Sequence, residues 1–359
     1  MRRRDYVADL SEFNPQMLAL ARQYKGLTQS ELSRQTGISQ AHLSRMEHGL
    51  QAPTENGVAS LAGALGFPGS FFRMQGNLFP PIAPMHRKRA GLAKGFQEHA
   101  EALANLRRIH IQRLEQAVDI DDAIPRIELE EYDGNPARVA QVVRASFRLP
   151  LGPVENVVAT LENHGAFIFL EDFLSRQLDA FTLVGDGLRP TIFVNRSFRG
   201  DRERLSLAHE LGHIVMHSVL TANIEAEAWQ FAEEFLLPAA SIESELRRAR
   251  RLSDFADLKR KWKVSMAALI RRAKNLAIID ANRYRYLMQQ MAPYRAREPV
   301  PLSLEQPSLV KELISAYRRD LKYTDEDLLK VLCISKTMFK EIYEQSDRKL
   351  RIYKRGVEK

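Results

Sequence analysis

The sequence predicts a mainly α chain with a small β-sheet, an α+β fold, on three observations. Short helical patterns opened by capping residues and closed by glycine fill the first 74 residues. Three short apolar runs bounded by turn residues occupy the middle of the chain, as buried strands do. From about residue 204 apolar residues return to helical spacing and keep it into a C-terminal tail. The 359 residues have room for two or three ordinary cores. Composition breaks suggest an all-α domain at 12–74, a linker and connecting helix at 75–125, an α+β domain at 126–298 and a helical tail at 299–359.

Met17, Leu18, Leu20 and Ala21 mark the apolar face of the first helix. Thr28 is a good N-cap for the second, and Glu31 three residues later completes a capping box. Gly37 can take the left-handed conformation that ends it. Ser39 caps a third helix, 40–47, which stops at Gly49. Two short helices joined by a Gly-containing turn make a helix-turn-helix. On the third helix Gln40, Ala41, Ser44 and Arg45 face away from apolar Ile38, Leu43 and Met46.

The stretch from Leu27 to Gly49, continued by Pro53 and by Leu61, Ala62, Gly63, Ala64, Leu65 and Gly66, resembles the lambda-repressor-like (Cro/CI, or XRE) domain. The resemblance implies that the third helix lies in the major groove of a double-stranded DNA operator, where Gln pairs with adenine and Arg with guanine. It places Gln29, Gln40, Ala41, Ser44 and Arg45 near base edges or phosphates, and implies a homodimer on paired half-sites.

The charge balance agrees with such a partner. A net charge of +8 and a pI of about 9.5 favour a polyanion. Hydrophobic content of 45% and charged content of 27% are ordinary for a soluble globular protein. No apolar run is long enough to cross a bilayer, so no membrane association is expected. Met1-Arg2-Arg3-Arg4-Asp5 is basic, but no apolar core follows it as in a secretory signal. A single cysteine, Cys333, rules out an intramolecular disulfide and fits a reducing, cytoplasmic setting. It reads as a small buried apolar residue among the last helices.

Pro80, Pro81 and Pro84 interrupt the chain after the first domain. The basic run His86-Arg87-Lys88-Arg89 follows, placed on DNA phosphates or simply solvated. A helix over about 97–118 carries Leu103, Leu106, Ile109, Ile111 and Leu114, and is long enough to join two domains or two copies. No internal repeat stands out.

Helical spacing at 136–149 and 153–164 is followed by apolar runs at 166–170, 180–184 and 190–195, which read as three strands. An edge strand of such a sheet can pair with an extended peptide. Then comes Leu207-Ala208-His209-Glu210-Leu211-Gly212-His213-Ile214. At about 3.6 residues per turn, His209 and His213 lie one above the other and can share one metal ion. Zinc suits two imidazoles, and Glu210 beside them can accept a proton from water that the ion activates.

A third ligand is expected from the next helix, about 225–238. Glu225 shares a face with Trp229, Ala232 and Leu236, an inward stripe where a carboxylate needs a partner. Glu227 shares a face with Gln230 and Glu234, which reads as a solvated stripe. Glu225 is therefore the expected ligand and Glu227 its rival. Two His and one Glu leave a fourth position for water, the mark of a catalytic site.

The run from Arg204 to His217, with the helix that follows, resembles the ImmA/IrrE family of zinc metallo-endopeptidases. The resemblance implies a zincin-like domain with one zinc on His209, His213 and Glu225, and Glu210 as the catalytic residue. It implies a protein substrate, often a repressor or antitoxin-like partner encoded nearby. His217 also matches the family pattern, as a group that binds substrate or an oxyanion or that covers the site. Trp229 stands where the family has Asn or Asp, and Leu237 where it has Met. The expectation is a transcriptional regulator with a zinc-dependent endopeptidase domain. The alternative is a repressor whose protease-like domain senses or binds a partner without catalysis.

Overall fold

The computed structural model describes residues 13–75, 78, 94–118, 120, 124–173, 178–183, 188–217, 223–294 and 297–344. The basic run at 86–89 lies outside them. The chain divides into two compact units. The first gathers the described residues up to Leu78, those of Glu98–Val118 and those from Lys311 on; the second gathers those of Asp119–Val310 with 94–97.

The first unit opens with α1 (Pro15–Tyr24), α2 (Gln29–Thr36), α3 (Gln40–Glu47) and α4 (Glu55–Leu65), then a 3-10 turn at Gly69–Arg73. Each α-helix starts where the sequence supplies an acceptor. Asn14, Thr28, Ser39 and Thr54 each receive a backbone N–H of the first turn, and Thr28 with Glu31 closes a capping box. Gly37, at φ 71°, ends α2 in the left-handed conformation that a side chain would oppose. Met17, Leu18, Leu32, Leu43, Leu61 and Leu65 are buried in the core.

Helix α5 (Lys94–Glu115) is longer than a surface helix needs to be, and most of its residues from Ala100 on are buried. Leu103, Leu106, Ile109, Ile111 and Leu114 are all among them, as their spacing predicts.

The second unit carries α6 (Pro136–Ser146) and α7 (Val157–Glu162), then strands β1 (Phe167–Glu171), β2 (Ala180–Leu183) and β3 (Thr191–Asn195). The sheet order is β1-β3-β2. β1 runs parallel to β3, with Phe169 opposite Phe193, and β2 runs antiparallel to β3, with Phe181 opposite Phe193. Stacked Phe169, Phe193 and Phe181 rings run across the strands. Helix α8 (Gly200–Met216) packs on β2 and β3, and α9 (Ile224–Leu236) packs on α8 and α6. There follow α10 (Ala239–Arg248), α11 (Leu252–Trp262), α12 (Met266–Asn275) and α13 (Ala281–Gln290).

Two glycines let α8 be crossed closely. A Cβ on Gly212 would stand 3.2–3.3 Å from Phe231 and Ala228 of α9, so Gly brings the two helices together beside the histidines. A Cβ on Gly200 would collide with the carbonyl of Ser303, and the Gly200 N–H donates to Leu302. The segment from Glu298 to Leu309 thus lies along the start of α8. It is pinned there by charge. Lys259, fully buried, pairs with Asp201 at 2.5 Å and Glu298 at 2.9 Å. Glu305 pairs with Arg204 and accepts the Val157 and Val158 N–H groups that open α7. Glu203 accepts the Glu305 N–H at 2.8 Å.

Three further helices return to the first unit: α14 (Leu309–Arg319), α15 (Asp325–Leu332) and α16 (Lys336–Tyr343). Cys333 is buried there, as expected, but adopts a left-handed conformation at the end of α15, φ 51°. Among the described residues no helix is long and apolar enough to cross a membrane.

Candidate metal centre

Helix α8 is buried along nearly its whole length, so its polar residues have to be answered by neighbours. Its C-terminal end is held by Arg126, which donates to the Ile214 carbonyl at 2.8 Å, and by the Ile127 N–H, which donates to Val215. One turn apart, His209 and His213 bring their Nε2 atoms within 3.0 Å. Glu225 arrives from the first turn of α9, with Oε2 3.4 Å from His209 Nε2 and Oε1 3.4 Å from His213 Nε2. Ligand atoms of the three residues lie within 4.8 Å of one another, and no other such His/Cys/Asp/Glu group occurs among the described residues.

These separations suit a small cation. A tetrahedral ion with ligands at about 2.0–2.1 Å spaces its donors by roughly 3.3 Å. The donor set, two neutral imidazole nitrogens and a carboxylate, is the chemistry that such an ion takes.

Glu210, on the same helix and buried, accepts the Thr182 hydroxyl of β2 at 2.7 Å. Thr182 was not expected from the sequence. Its only signal there is a hydroxyl residue inside an apolar strand.

His217 lies at the end of α8, buried, with Nδ1 2.9 Å from His213 Nδ1 and Nε2 3.1 Å from Glu227 Oε2. Burial first, then the neighbouring His213, pushes its pKa down to about 4, against the pull of Glu227. The contacts dictate an order of protons. If His213 Nε2 lends its lone pair to a cation, its Nδ1 carries hydrogen and donates to His217 Nδ1. His217 Nε2 then carries the other hydrogen and donates to Glu227. The rival carboxylate therefore sits two imidazoles behind the cluster, not in it.

Of the solvated stripe expected around Glu227, only Gln230 is exposed. Glu227 is half-buried, and Glu234 is 3% exposed, paired with Arg272 and receiving Gln141 Nε2 at 2.9 Å. Helix α9 is covered by α8 and α6, so more than one of its faces turns inward. Glu225 and Trp229 are half-buried rather than fully inward. The Trp229 ring lies against His209, centroids 4.1 Å apart and planes at 39°. An indole thus orients the imidazole by contact.

In the first unit, Gln40, Ala41 and Arg45 are exposed on α3, while Ser44 and Gln29 are half-buried. Gln40 donates to Gln29 Oε1 at 2.7 Å, Gln29 donates to Glu47 at 2.8 Å, and Glu47 pairs with Arg22 at 2.5 Å. A polar chain thus runs from the exposed helix to a buried arginine and fixes the Gln29 and Gln40 side chains. Leu43 and Met46 are buried behind them.

One unit carries a helix-turn-helix, and the other presents a His-His-Glu cluster, two imidazoles from buried α8 and a carboxylate from the start of α9. Residues 16–70 match a family of helix-turn-helix domains, and residues 161–274 match the IrrE N-terminal-like domain of the M78 peptidases. The two matches suggest the helix-turn-helix of a DNA-binding regulator ahead of an ImmA/IrrE-type, protease-like regulatory module, and the family of the latter suggests a metal. No curated protein matches the chain.

Proposed function

We propose that the chain is a DNA-binding transcriptional regulator whose IrrE-like part is a zinc-dependent endopeptidase acting on a regulatory protein or on itself. The observation that carries this reading is the donor triangle of His209, His213 and Glu225 with Glu210 beside it. The domains would be those expected from the sequence: 12–74 for DNA, 75–125 as connector, 126–298 for the peptidase and 299–359 as tail. Gln29, Gln40, Ala41, Ser44 and Arg45 would meet double-stranded DNA, with the chain acting as a cytoplasmic homodimer on paired half-sites.

Zinc at the cluster would supply Lewis acidity, polarising a peptide carbonyl and acidifying water. His209, His213 and Glu225 would hold it. Thr182 fixes one Glu210 oxygen by hydrogen bond, and the other is the acceptor for the proton that water must lose and the leaving amine must gain. His217 and Glu227 hold His213 in the tautomer that offers its Nε2 lone pair. The β2 edge, next to Glu210, gives an extended substrate a strand to pair with.

Purified protein with zinc is compared with its Glu210→Gln form, on itself and on the products of neighbouring genes. Cleavage by the first and not the second is expected. Equal patterns would overturn the peptidase reading.

A second reading, a non-catalytic sensor or partner-binding module, is favoured by Trp229 against His209. It predicts protein isolated without zinc and unchanged by His213→Ala.

A further inference from the structure

The last three helices repeat the layout of the first three. Thr28 and Thr324 are both N-caps with capping boxes, answered at the third helical position by Glu31 and Asp327. Each opens an eight-residue helix, α2 or α15. Each helix ends on a left-handed residue, Gly37 at φ 71° and Cys333 at φ 51°. Ile38-Ser39 and Ile334-Ser335 follow, and each serine caps a second eight-residue helix, α3 or α16.

The correspondence holds without a gap. Arg22, Leu32 and Ile38 recur as Arg318, Leu328 and Ile334, Leu43 as Phe339, and left-handed Gly26 as left-handed Lys322. Leu32 and Leu328 are fully buried, and Leu43 and Phe339 are buried too. Sequence periodicity does not show this repeat, because few side chains are identical and glycine is replaced at both corners. It lies beyond residue 274, where the IrrE-like match ends.

The exposed face of α3 has its counterpart on α16. Gln40, Ala41, Ser44 and Arg45 correspond to Lys336, Thr337, Lys340 and Glu341, and all four of the latter are exposed. Lys336 and Lys340 stand one turn apart with no acidic partner among the described residues. Acidic residues lie close in sequence, but several are engaged. Asp325 and Glu344 pair with Arg318, and Asp327 closes its capping box, leaving Glu326 and Glu341. The other side of the motif is packed. Tyr343, in the place of Glu47, bonds to His110 of α5 at 2.6 Å, and Arg113 donates to the Val331 carbonyl at 2.8 Å. The sequence after α16 continues basic, with Arg348, Lys349, Arg351, Lys354 and Arg355.

We propose that α14–α16 form a second helix-turn-helix, and that Lys336, Thr337 and Lys340 on α16 dock on double-stranded DNA. A helix in this setting, with two unpaired lysines on the face that its twin exposes, fits the charge and width of a major groove. The proposal deepens the reading of the chain as a DNA-binding regulator and rests on it. One chain would then make two contacts on one duplex.

The test uses full-length protein and a duplex that it selects from a randomised pool. Compared are wild type, the double variant Lys336→Glu/Lys340→Glu, its milder Lys336→Gln/Lys340→Gln form, and Gln40→Ala/Arg45→Ala. Both lysine variants should bind roughly tenfold or more weakly, protect a shorter footprint and lower the slope of log affinity against log salt by about 1.8, two phosphates' worth. Unchanged footprint and slope in folded lysine variants would overturn the proposal, while loss of binding in the Gln40/Arg45 variant would leave the N-terminal reading standing. The reverse pattern would sink the N-terminal reading alone. If wild type selects no duplex, both fall. If the lysine variants change only the oligomeric state, the face is a contact between copies and the proposal fails.

Discussion

The hydroxyl of Thr182 donates to Glu210 across the gap between β2 and α8, at 2.7 Å, and both residues are buried. This ties the sheet to the carboxylate proposed to transfer protons. A hydrogen bond to a charged group contributes about 1.5–3 kcal/mol. Thr182→Val keeps the shape and removes the donor. Cleavage of the substrate is expected to slow by roughly 10-fold to 100-fold with zinc content unchanged. An unaltered kcat/KM would remove Thr182 from the mechanism.

His217 and Glu227 act one and two imidazoles behind the cluster. Removing such a support typically costs about 10–100-fold in metal affinity. Glu227→Gln and His217→Ala should both weaken zinc binding by about that factor in a chelator competition, whereas Glu225→Gln should lower it much further. Were Glu227→Gln the more damaging, the rival ligand assignment would be the right one.

Trp229 orients His209 by ring contact. Trp229→Asn restores the residue type of the resembling family and removes the indole. If the peptidase is active, cleavage should change by a factor of several while thermal stability falls by about 1–3 kcal/mol. Activity that appears only in the Asn form would instead mark the native chain as a non-catalytic module.

Glu203 is 1% exposed and leans on Glu305, and its pKa is pushed up to about 8. Burial is the main cause. The Glu305 N–H and the Arg204 charge pull the other way, and the Glu305 carboxylate adds to the rise. The folded chain therefore keeps this proton up to about pH 8, whereas the unfolded chain releases it near 4.5. Between those values the folded state binds more protons, so stability falls as pH rises. This contribution is complete below pH 4.5 and gone above about 8. Glu203→Gln stays neutral and should flatten the fall, on the order of 3–5 kcal/mol at pH 9 relative to wild type. Parallel denaturation curves for the two proteins from about pH 5 to about pH 9 would contradict it.

Much of this was legible in the sequence because local chemistry carried it. Thr28 with Glu31, Gly37 and Ser39 set α2 and α3 without help from distant residues. The α+β character followed from three apolar runs, and the strands lie within a residue of where those runs begin. The pairing of His209 with His213 needs only a helix, and Glu225 lies beside them although it is half-buried rather than on a fully inward stripe. What stayed hidden depends on tertiary neighbours. Nothing around Thr182 says that α8 will cross β2 at Glu210. Glu234 looked solvated until Arg272 and Gln141 covered it. The second helix-turn-helix carries no such local signal, because Cys333 and Lys322 hold the left-handed corners where glycine is the usual mark.

The belt from Glu298 to Leu309 bears on how the molecule can be dissected. An excised fragment that stops at residue 274, where the family resemblance stops, would lack Glu298 and Glu305. Lys259 would keep a single counter-ion, Arg204 would lose its carboxylate, and the opening amides of α7 would lose their acceptor. Such a truncated piece should misfold for reasons unrelated to its histidines, whereas one extended through Leu309 retains every one of these clasps.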